Sequence, residues 1–457
     1  MANTYITSGA ALTSVADAIR AKGGTSQPLT YPAEFISAIG DIRVGVQPEP
    51  SDVNFYDYDG TLTAAYTAAE FQALTALPTN PVHEGLTAQG WNWTLAGAKA
   101  YVAAHGFLDI GQMYITSDGK TRVWIELGPN TASNRMTFSL YLGESANGGV
   151  TVHWGDGATT TLSGTNSALY SHTYAQTGCY EIAIEVTSGE LQLAGSSSYS
   201  LYGASASSNR YNASRIRRVA LGANVSSLGT YILKNCTGLE SISIPQGVTL
   251  ENYAFTGCKS LRFVTIPTGN TQLSSYAFSE CVGLACLSLP AGLTALEANA
   301  LSGCKTLVRI AVPDTVTTLG DYLFQSCESL RQIAFSSGLT SIGSSAMATC
   351  ISLSELTIPA GVTSLPDSLF SQDCGLTRLT ISAGVSSIDA NALAFLYGLG
   401  ELWLLPTTPP TLSSSTNIQT SGLVIYVPYS SDHSILAAYQ AASQWSNLAS
   451  RMQEAPE

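Results

Sequence analysis

The chain has 457 residues, 45% hydrophobic and only 11% charged, with a formal net charge of -13. The apolar share suffices for several packed cores and excludes charge-driven disorder. The negative balance would repel a phosphate backbone, which excludes nucleic acid as a partner. No run approaches the ~20 apolar residues that span a bilayer, which excludes membrane insertion by a helix.

Met1-Ala2-Asn3-Thr4-Tyr5 carries neither the basic nor the apolar stretch of a secretory signal. The protein is expected to stay in the cytoplasm or to leave it by another route such as cell lysis. His83, His105, His153, His172 and His433 are scattered, with none at zinc-type spacing from a cysteine. No metal or other cofactor is therefore expected.

Residues 1–42 read as two short amphipathic helices. Leu12, Val15, Ala16 and Ile19 share a face, and Gly23-Gly24 ends the first helix. Pro32 suits the first turn of the second, whose apolar residues are Phe35, Ile36 and Ile39. The segment from Leu12 to Ser26 resembles a short module common in phage and prophage tail proteins. Residues 43–51, with Pro48 and Pro50, read as a linker.

Residues 52–127 read as a small α/β module. Thr67-Ala-Ala-Glu70 is a capping box opening a helix through Leu77. Thr94 caps a second helix ending at Gly106. Asp118-Gly119 predicts a hairpin between Met113–Thr116 and Thr121–Leu127. The stretch, with Gly90-Trp-Asn-Trp93 and Asp109-Ile-Gly-Gln-Met-Tyr114, also resembles a module of phage tail and fibre proteins.

Residues 128–210 read as a β-sandwich and connector, with first strands drawn from residues 121–127. Val150-Thr-Val-His-Trp-Gly-Asp-Gly157, His172-Thr-Tyr174 and Tyr180 to Val186 resemble a PKD-type immunoglobulin-like domain. The resemblance makes Trp-Gly-Asp-Gly a structural turn. The Ser-rich stretch 196–208 connects onward.

Residues 211–408 carry a repeat with a period near 23, the signature being Leu-x-x-Ile-x-Ile. It runs Ile216 to Leu221, Leu239 to Ile244, Leu261 to Ile266, Leu284 to Leu289, Leu307 to Val312, Leu330 to Phe335, Leu353 to Ile358, Leu376 to Ile381 and Leu399 to Leu404. A period of this length with a strand pattern predicts a leucine-rich-repeat solenoid of nine coils sharing one parallel sheet. A returning segment, as in Tyr253-Ala-Phe255 and Tyr276-Ala-Phe278, should fill the core from the opposite side. Cys236, Cys258, Cys281, Cys304, Cys327 and Cys350 each precede the signature leucine by three, and Cys374 is displaced by one. Stacked side chains point in parallel, so this is a ladder of buried thiols rather than a disulfide or metal array.

The pattern Ala-Phe-x-x-Cys-x-x-Leu-x-x-Ile-x-Ile-Pro, as at Ala254 to Pro267, resembles the BspA-like bacterial surface leucine-rich-repeat family. The end of the chain, residues 409–457, fits that family's C-terminal cap through Ile425-Tyr-Val-Pro428, Tyr439 and Trp445-Ser-Asn447. The resemblance implies adhesion and host or cell-surface recognition.

Phe55-Tyr-Asp57-Tyr-Asp59-Gly-Thr61 resembles the first motif of haloacid-dehalogenase-type phosphatases, in which the first Asp is the nucleophile and the second an acid/base. The stretch before the sandwich is too short for the fold that chemistry needs. A turn is the preferred reading, and no catalytic residue is expected.

The resemblances combine into a phage or prophage tail-associated receptor-binding protein. Its N-terminal modules would hold other tail proteins, and its solenoid would meet a host cell-surface protein or glycan. A trimer is the usual assembly of tail fibres. The alternative is a BspA-like bacterial cell-surface adhesin, and a phosphatase stands third. The third and fifth residues of each signature point outward. Arg309, Glu355, Arg378, Glu401 and Trp403 in these columns are the candidate partner-contacting patch, since exposed Trp and Arg are common hot spots.

Overall fold

The computed structural model describes residues 52–456, except 129–135, 145–148, 163–167, 194–200, 202–209, 372–374, 390, 395, 414–417 and 419–421. The helices expected over 1–42, the linker after them and Cys374 lie outside the described residues.

Each repeat signature forms one coil. The coil strands are Ile216–Ala220, Ser241–Ser243, Phe263–Thr265, Cys286–Ser288, Arg309–Ala311, Gln332–Ala334, Glu355–Ile358, Arg378–Ile381 and Glu401–Leu404. Register advances one repeat per coil: Arg218 faces Ser241, Phe263 faces Cys286, Arg309 faces Gln332, and Arg378 lies between Glu355 and Glu401. Leu261, Leu284, Leu307 and Leu330 are fully buried. Each such side chain contributes roughly 1.5–3 kcal/mol relative to exposure, available only when coils stack.

The opposite side of the coil differs in part from expectation. Phe255, Phe278, Phe324 and Phe370 are fully buried, as are Ala254 and Ala277. The tyrosines that precede them are not core residues. Tyr253 and Tyr276 sit in the left-handed region, with φ 61° and 57°, which turns their rings outward. There they stack on each other at 4.5 Å. A second, thinner ladder of two-residue parallel strands also runs along this side, as in Gln272–Leu273 beside Ala295–Leu296.

The six described ladder cysteines are free and buried. The Sγ of Cys258, Cys281, Cys304, Cys327 and Cys350 each donates to a carbonyl of the preceding coil, at 3.1–3.3 Å. Burial pushes the Cys327 thiol up to about 12, so it stays protonated at neutral pH.

At the C-terminus the strand Val424–Val427 pairs parallel with coil 9, and Met452–Glu454 pairs with it in turn. Tyr439 and Trp445 are fully buried and donate to the Pro406 and Pro410 carbonyls at 2.9 and 2.8 Å. This closes the edge of the sheet.

The remaining strands are β1 (Val53–Tyr56), β2 (Leu62–Tyr66), β3 (Leu86–Trp91), β4 (Leu108–Thr116), β5 (Thr121–Leu127), β6 (Thr137–Glu144), β7 (Val150–His153), β8 (Thr159–Leu162), β9 (Ala168–Thr173), β10 (Gly178–Val186) and β11 (Leu191–Gln192). The sandwich places β8-β7-β10-β5 on one side and β11-β6-β9 on the other. Its core holds Phe138, Leu140, Val152, Trp154 and Ile182, all fully buried. Trp154 opens the Trp-Gly-Asp-Gly turn, in which Gly155 and Gly157 have φ 84° and 93°. The Tyr174 hydroxyl ties down the Trp154 carbonyl at 2.9 Å.

The α/β module is a sheet ordered β2-β1-β4-β3 carrying helices α1 (Ala68–Ala73) and α2 (Leu95–His105). Thr67 and Glu70 form the capping box, but α1 stops at Leu74 rather than running to Leu77. Leu74 and Leu77 instead pack on the module's core. Thr94 caps α2 and Gly106, at φ 86°, ends it.

The hairpin expected at Asp118-Gly119 does not form. The turn is present, with Gly119 at φ 74°, but its two strands belong to different sheets. β4 pairs with β1 and β3. β5 pairs with β10 on one side and antiparallel with coil 1 on the other. Sandwich and solenoid thus share one sheet and one continuous core.

Candidate recognition surface

The outward face of the solenoid sheet begins as two columns of side chains, one at the third and one at the fifth signature position. The fifth-position residues of coils 2 to 6 are Ser243, Thr265, Ser288, Ala311 and Ala334, all buried. Their small size does not leave an open track. β4 and its neighbours in the α/β module lie upon it. Gly111 of β4 sits so close to the sheet that a Cβ there would meet Thr265 Oγ1 at 2.0 Å.

Several polar groups pair across the contact, whereas Gln112 Oε1 of β4 and Thr265 Oγ1 of coil 3 have no hydrogen-bond partner among the described residues. Asn92 Nδ2 donates to Ser288 Oγ at 2.9 Å, and Ser288 Oγ donates to the Asp109 carbonyl at 2.8 Å. The Trp93 indole donates to the Leu289 carbonyl at 2.7 Å, the Tyr101 hydroxyl to the Val312 carbonyl at 2.9 Å, and Ser243 Oγ to the Tyr114 carbonyl at 3.0 Å. Tyr56 packs on Phe263, ring centroids 5.0 Å apart.

This corrects one of the five expected surface residues. Arg309 is not on an open face; it is 8% exposed. Its Nε donates to Asp109 Oδ2 at 3.0 Å, its Nη2 donates to Asp109 Oδ1, and its guanidinium lies 5.1 Å from the Phe107 ring. Asn54 adds a further donor to Asp109 at 3.2 Å. The pair is a fastening between module and solenoid. Its cause is the cover: β4 delivers a carboxylate above the one third-position cation of coils 2 to 6.

The sheet face begins to open at the third position of coil 6 and is open from coil 7 onward. Gln332, Glu355, Thr357 and Arg378 are exposed, and Glu401 and Trp403 half-buried. Glu401 holds the group together, accepting from the Trp403 indole at 2.9 Å and from Arg378 Nε at 2.8 Å. Those two bonds, Trp403 first, hold the Glu401 carboxyl below its usual range. Trp403 stacks on Tyr426 at 4.2 Å and 19°. Tyr426 stands opposite Trp403 in register, one repeat further on. The sequence signal was present in that spacing, but the column had been ended at coil 9.

Asp57 and Asp59 occupy the turn between β1 and β2. Asp57 is buried, with Oδ1 accepting from the Tyr58 amide at 2.8 Å and Oδ2 paired with His83 Nε2 at 2.6 Å. Asp59 is exposed and closes its own turn by accepting from the Thr61 amide at 2.9 Å. Among the described residues, no group of three or more His, Cys, Asp and Glu could hold a metal ion. No helix among them is long and apolar enough to cross a membrane.

A family model of the BspA type leucine rich repeat region matches residues 204–285 and 271–400, in 6 copies. The repeat region belongs to that family. The BspA-type solenoid is similar in fold to a leucine-rich repeat protein from Bacteroides ovatus, with 23% identity over 47% of this chain and 68% of that one and a TM-score of 0.36. A leucine-rich repeat protein of T. pallidum is 30% identical over 30% of this chain and 67% of its own, with a TM-score of 0.26. A leucine rich cell surface protein from Faecalibacterium prausnitzii is 23% identical over 49% and 75%, with a TM-score of 0.27. No curated protein matches the chain.

Proposed function

We propose that this chain is a non-enzymatic recognition protein of the bacterial surface-adhesin kind, displayed outside the cell, whose BspA-type solenoid meets a protein or glycan on another surface. The observation that carries it is the open end of the sheet. Glu355 and Arg378, exposed, with Glu401, Trp403 and Tyr426, half-buried, form an accessible aromatic and charged group where the α/β module no longer covers the face. Paired aromatic rings beside an Arg–Glu pair are the side chains that dominate protein interfaces. Arg309 drops out of the patch.

The phage-tail alternative rests on the likenesses of residues 1–42 and 52–127, whereas the family match covers the repeat, so the adhesin reading leads. Immunogold label on a tail particle would reverse that order. In either setting, attachment through the N-terminal segment and assembly into trimers are part of the proposal.

The test measures labelled protein on arrays of glycans and extracellular matrix proteins. Trp403→Ala should lower binding roughly tenfold or more, and Arg378→Ala by less, with melting unchanged for both. Wild-type binding by the double variant would place recognition elsewhere.

A further inference from the structure

A cleft of ≈ 530 Å³ lies between the α/β module and the sheet that sandwich and solenoid share. Its volume is that of a small-molecule site. The module supplies Tyr58 and the turn from His83 to Leu86, and the sheet supplies outward side chains of β5, β10 and coil 1. Register builds the sheet wall: Glu181 and Arg218 both stand opposite Trp124, on its two neighbouring strands.

The charges of this wall are not evenly matched. Arg122 is held by Asp118 at 2.7 and 2.8 Å and by Glu181 at 2.6 Å. Glu181 also accepts from the Trp124 indole at 3.1 Å. Arg218 is different. Its guanidinium lies 4.4 Å from the centre of the Trp124 ring and has no ion pair among the described residues. The Tyr58 hydroxyl, across the cleft, likewise has no hydrogen bond among them. Burial raises the Tyr58 pKa above its ordinary value, and the charge of Arg218 works against that without reversing it. The phenol is therefore a proton donor at neutral pH. On the rim, Glu84 is exposed and accepts no hydrogen bond among the described residues.

One free cation, one free hydroxyl donor and one free carboxylate acceptor thus face the same space. Leu86 is the one aliphatic side chain among the lining residues, so an apolar ligand finds little to bury against. A phosphate dianion would meet Glu84 and Glu181 with only one unmatched cation. A singly charged carboxylate on a hydroxylated ring satisfies all three groups. We propose that this cleft binds a carboxylate-bearing sugar, a uronic or sialic acid residue, with Arg218 and Tyr58 donating to the carboxylate and Glu84 accepting from ring hydroxyls. Stacking on Trp124 pre-orders the Arg218 fork for that bond.

The site is separate from the open end of the solenoid, and a failure of either leaves the other standing. The experiment is calorimetric titration of the full chain with sodium glucuronate and with N-acetylneuraminate, against glucose, acetate and an acidic peptide. Saturable binding of at least one acid sugar is expected, with glucose, acetate and peptide at least tenfold weaker. Arg218→Gln should weaken it roughly tenfold or more, and Tyr58→Phe about threefold to tenfold. Trp403→Ala should leave it unchanged. Should Arg218→Gln lower the melting temperature, Tyr58→Phe carries the test. Equal binding of glucose, tighter binding of acetate or peptide, no saturable binding, or insensitivity to both variants would each overturn the proposal.

Discussion

Coils 2 to 6 and coils 7 to 9 are written in the same signature, yet one stretch of sheet is interior and the other is surface. Each has an arginine in the third-position column with a carboxylate beside it. Arg309 meets Asp109, brought from 200 residues away in the chain, and both are buried. Arg378 meets Glu401 of the next coil, and both remain in water's reach. An outward-pointing position in a solenoid is therefore not the same thing as a solvated one. What decides is whether another part of the chain has the shape to lie on it, and here small side chains below and Gly111 above supply that shape.

The largest effect that would break this comparison is at Arg309. Arg309→Ala should cost about 3–5 kcal/mol in urea unfolding, because it leaves Asp109 buried without its cation. Replacing both partners, Arg309→Met with Asp109→Leu, should recover most of that loss. If Arg309→Ala proved no more damaging than Arg378→Ala, the covered and open halves would not differ as described.

The two halves also differ in how far the sequence revealed them. The period, the strand positions, the buried leucines and the cysteine ladder were readable because each is a local pattern repeated many times. The cover was not, since neither Asp109 nor Arg309 has a neighbour in sequence that marks the other. The run from Ser243 to Ala334 in the fifth column was visible, but small residues fit an empty groove and a filled one equally well. At Asp118-Gly119 the turn chemistry was right and the pairing wrong. β4 and β5 each found longer-range partners on both sides, and two-strand pairing across the turn could not compete with that. Tyr426 was missed for the opposite reason, having been assigned to the cap when it continues the repeat.

A smaller effect tests what the halves share. The described ladder thiols run from coil 2 into coil 7, and those of Cys258, Cys281, Cys304, Cys327 and Cys350 each donate to a carbonyl of the coil before. Cys304→Ser should cost about 1 kcal/mol, since the hydroxyl finds the Phe278 carbonyl that Sγ now uses. Thiol titration of the denatured, unreduced protein should find the six ladder cysteines free. Finding them oxidised would remove the ladder.

The smallest effect lies at the border of the two halves. Asp314 accepts from His105 of α2 at 2.9 Å and from the Ser337 amide at 2.8 Å. Burial opposes ionisation of Asp314, but the Ser337 and His105 bonds outweigh it and hold the carboxyl below its usual range. A depressed native pKa adds stability that is complete above the unfolded value near pH 4, about 3.9. That stability is lost as pH falls through the native value. Melting followed from neutral pH into acid should fall less steeply below about pH 4 in Asp314→Asn than in the wild type. An identical acid slope would mean that Asp314 does not fasten this edge.

The cover over coils 2 to 6 also sets an order of events at the ribosome. The segment 53–127 is made before any of the surface it will occupy. At roughly 5–20 residues per second, some 10–40 seconds separate the emergence of Asp109 from that of Arg309. During that interval Trp93 and Phe107 have only the module's own core to pack against, and the Trp93 indole lacks the Leu289 carbonyl until coil 4 emerges. The coils, by contrast, contact their neighbours and can add one at a time as they emerge. The docking of β4 is therefore a late step with a long chain closure behind it. A nascent chain halted before coil 5 would leave Asp109 without Arg309 and the Tyr101 hydroxyl without the Val312 carbonyl, so at that stage of synthesis the module is not yet fastened to the solenoid at these points.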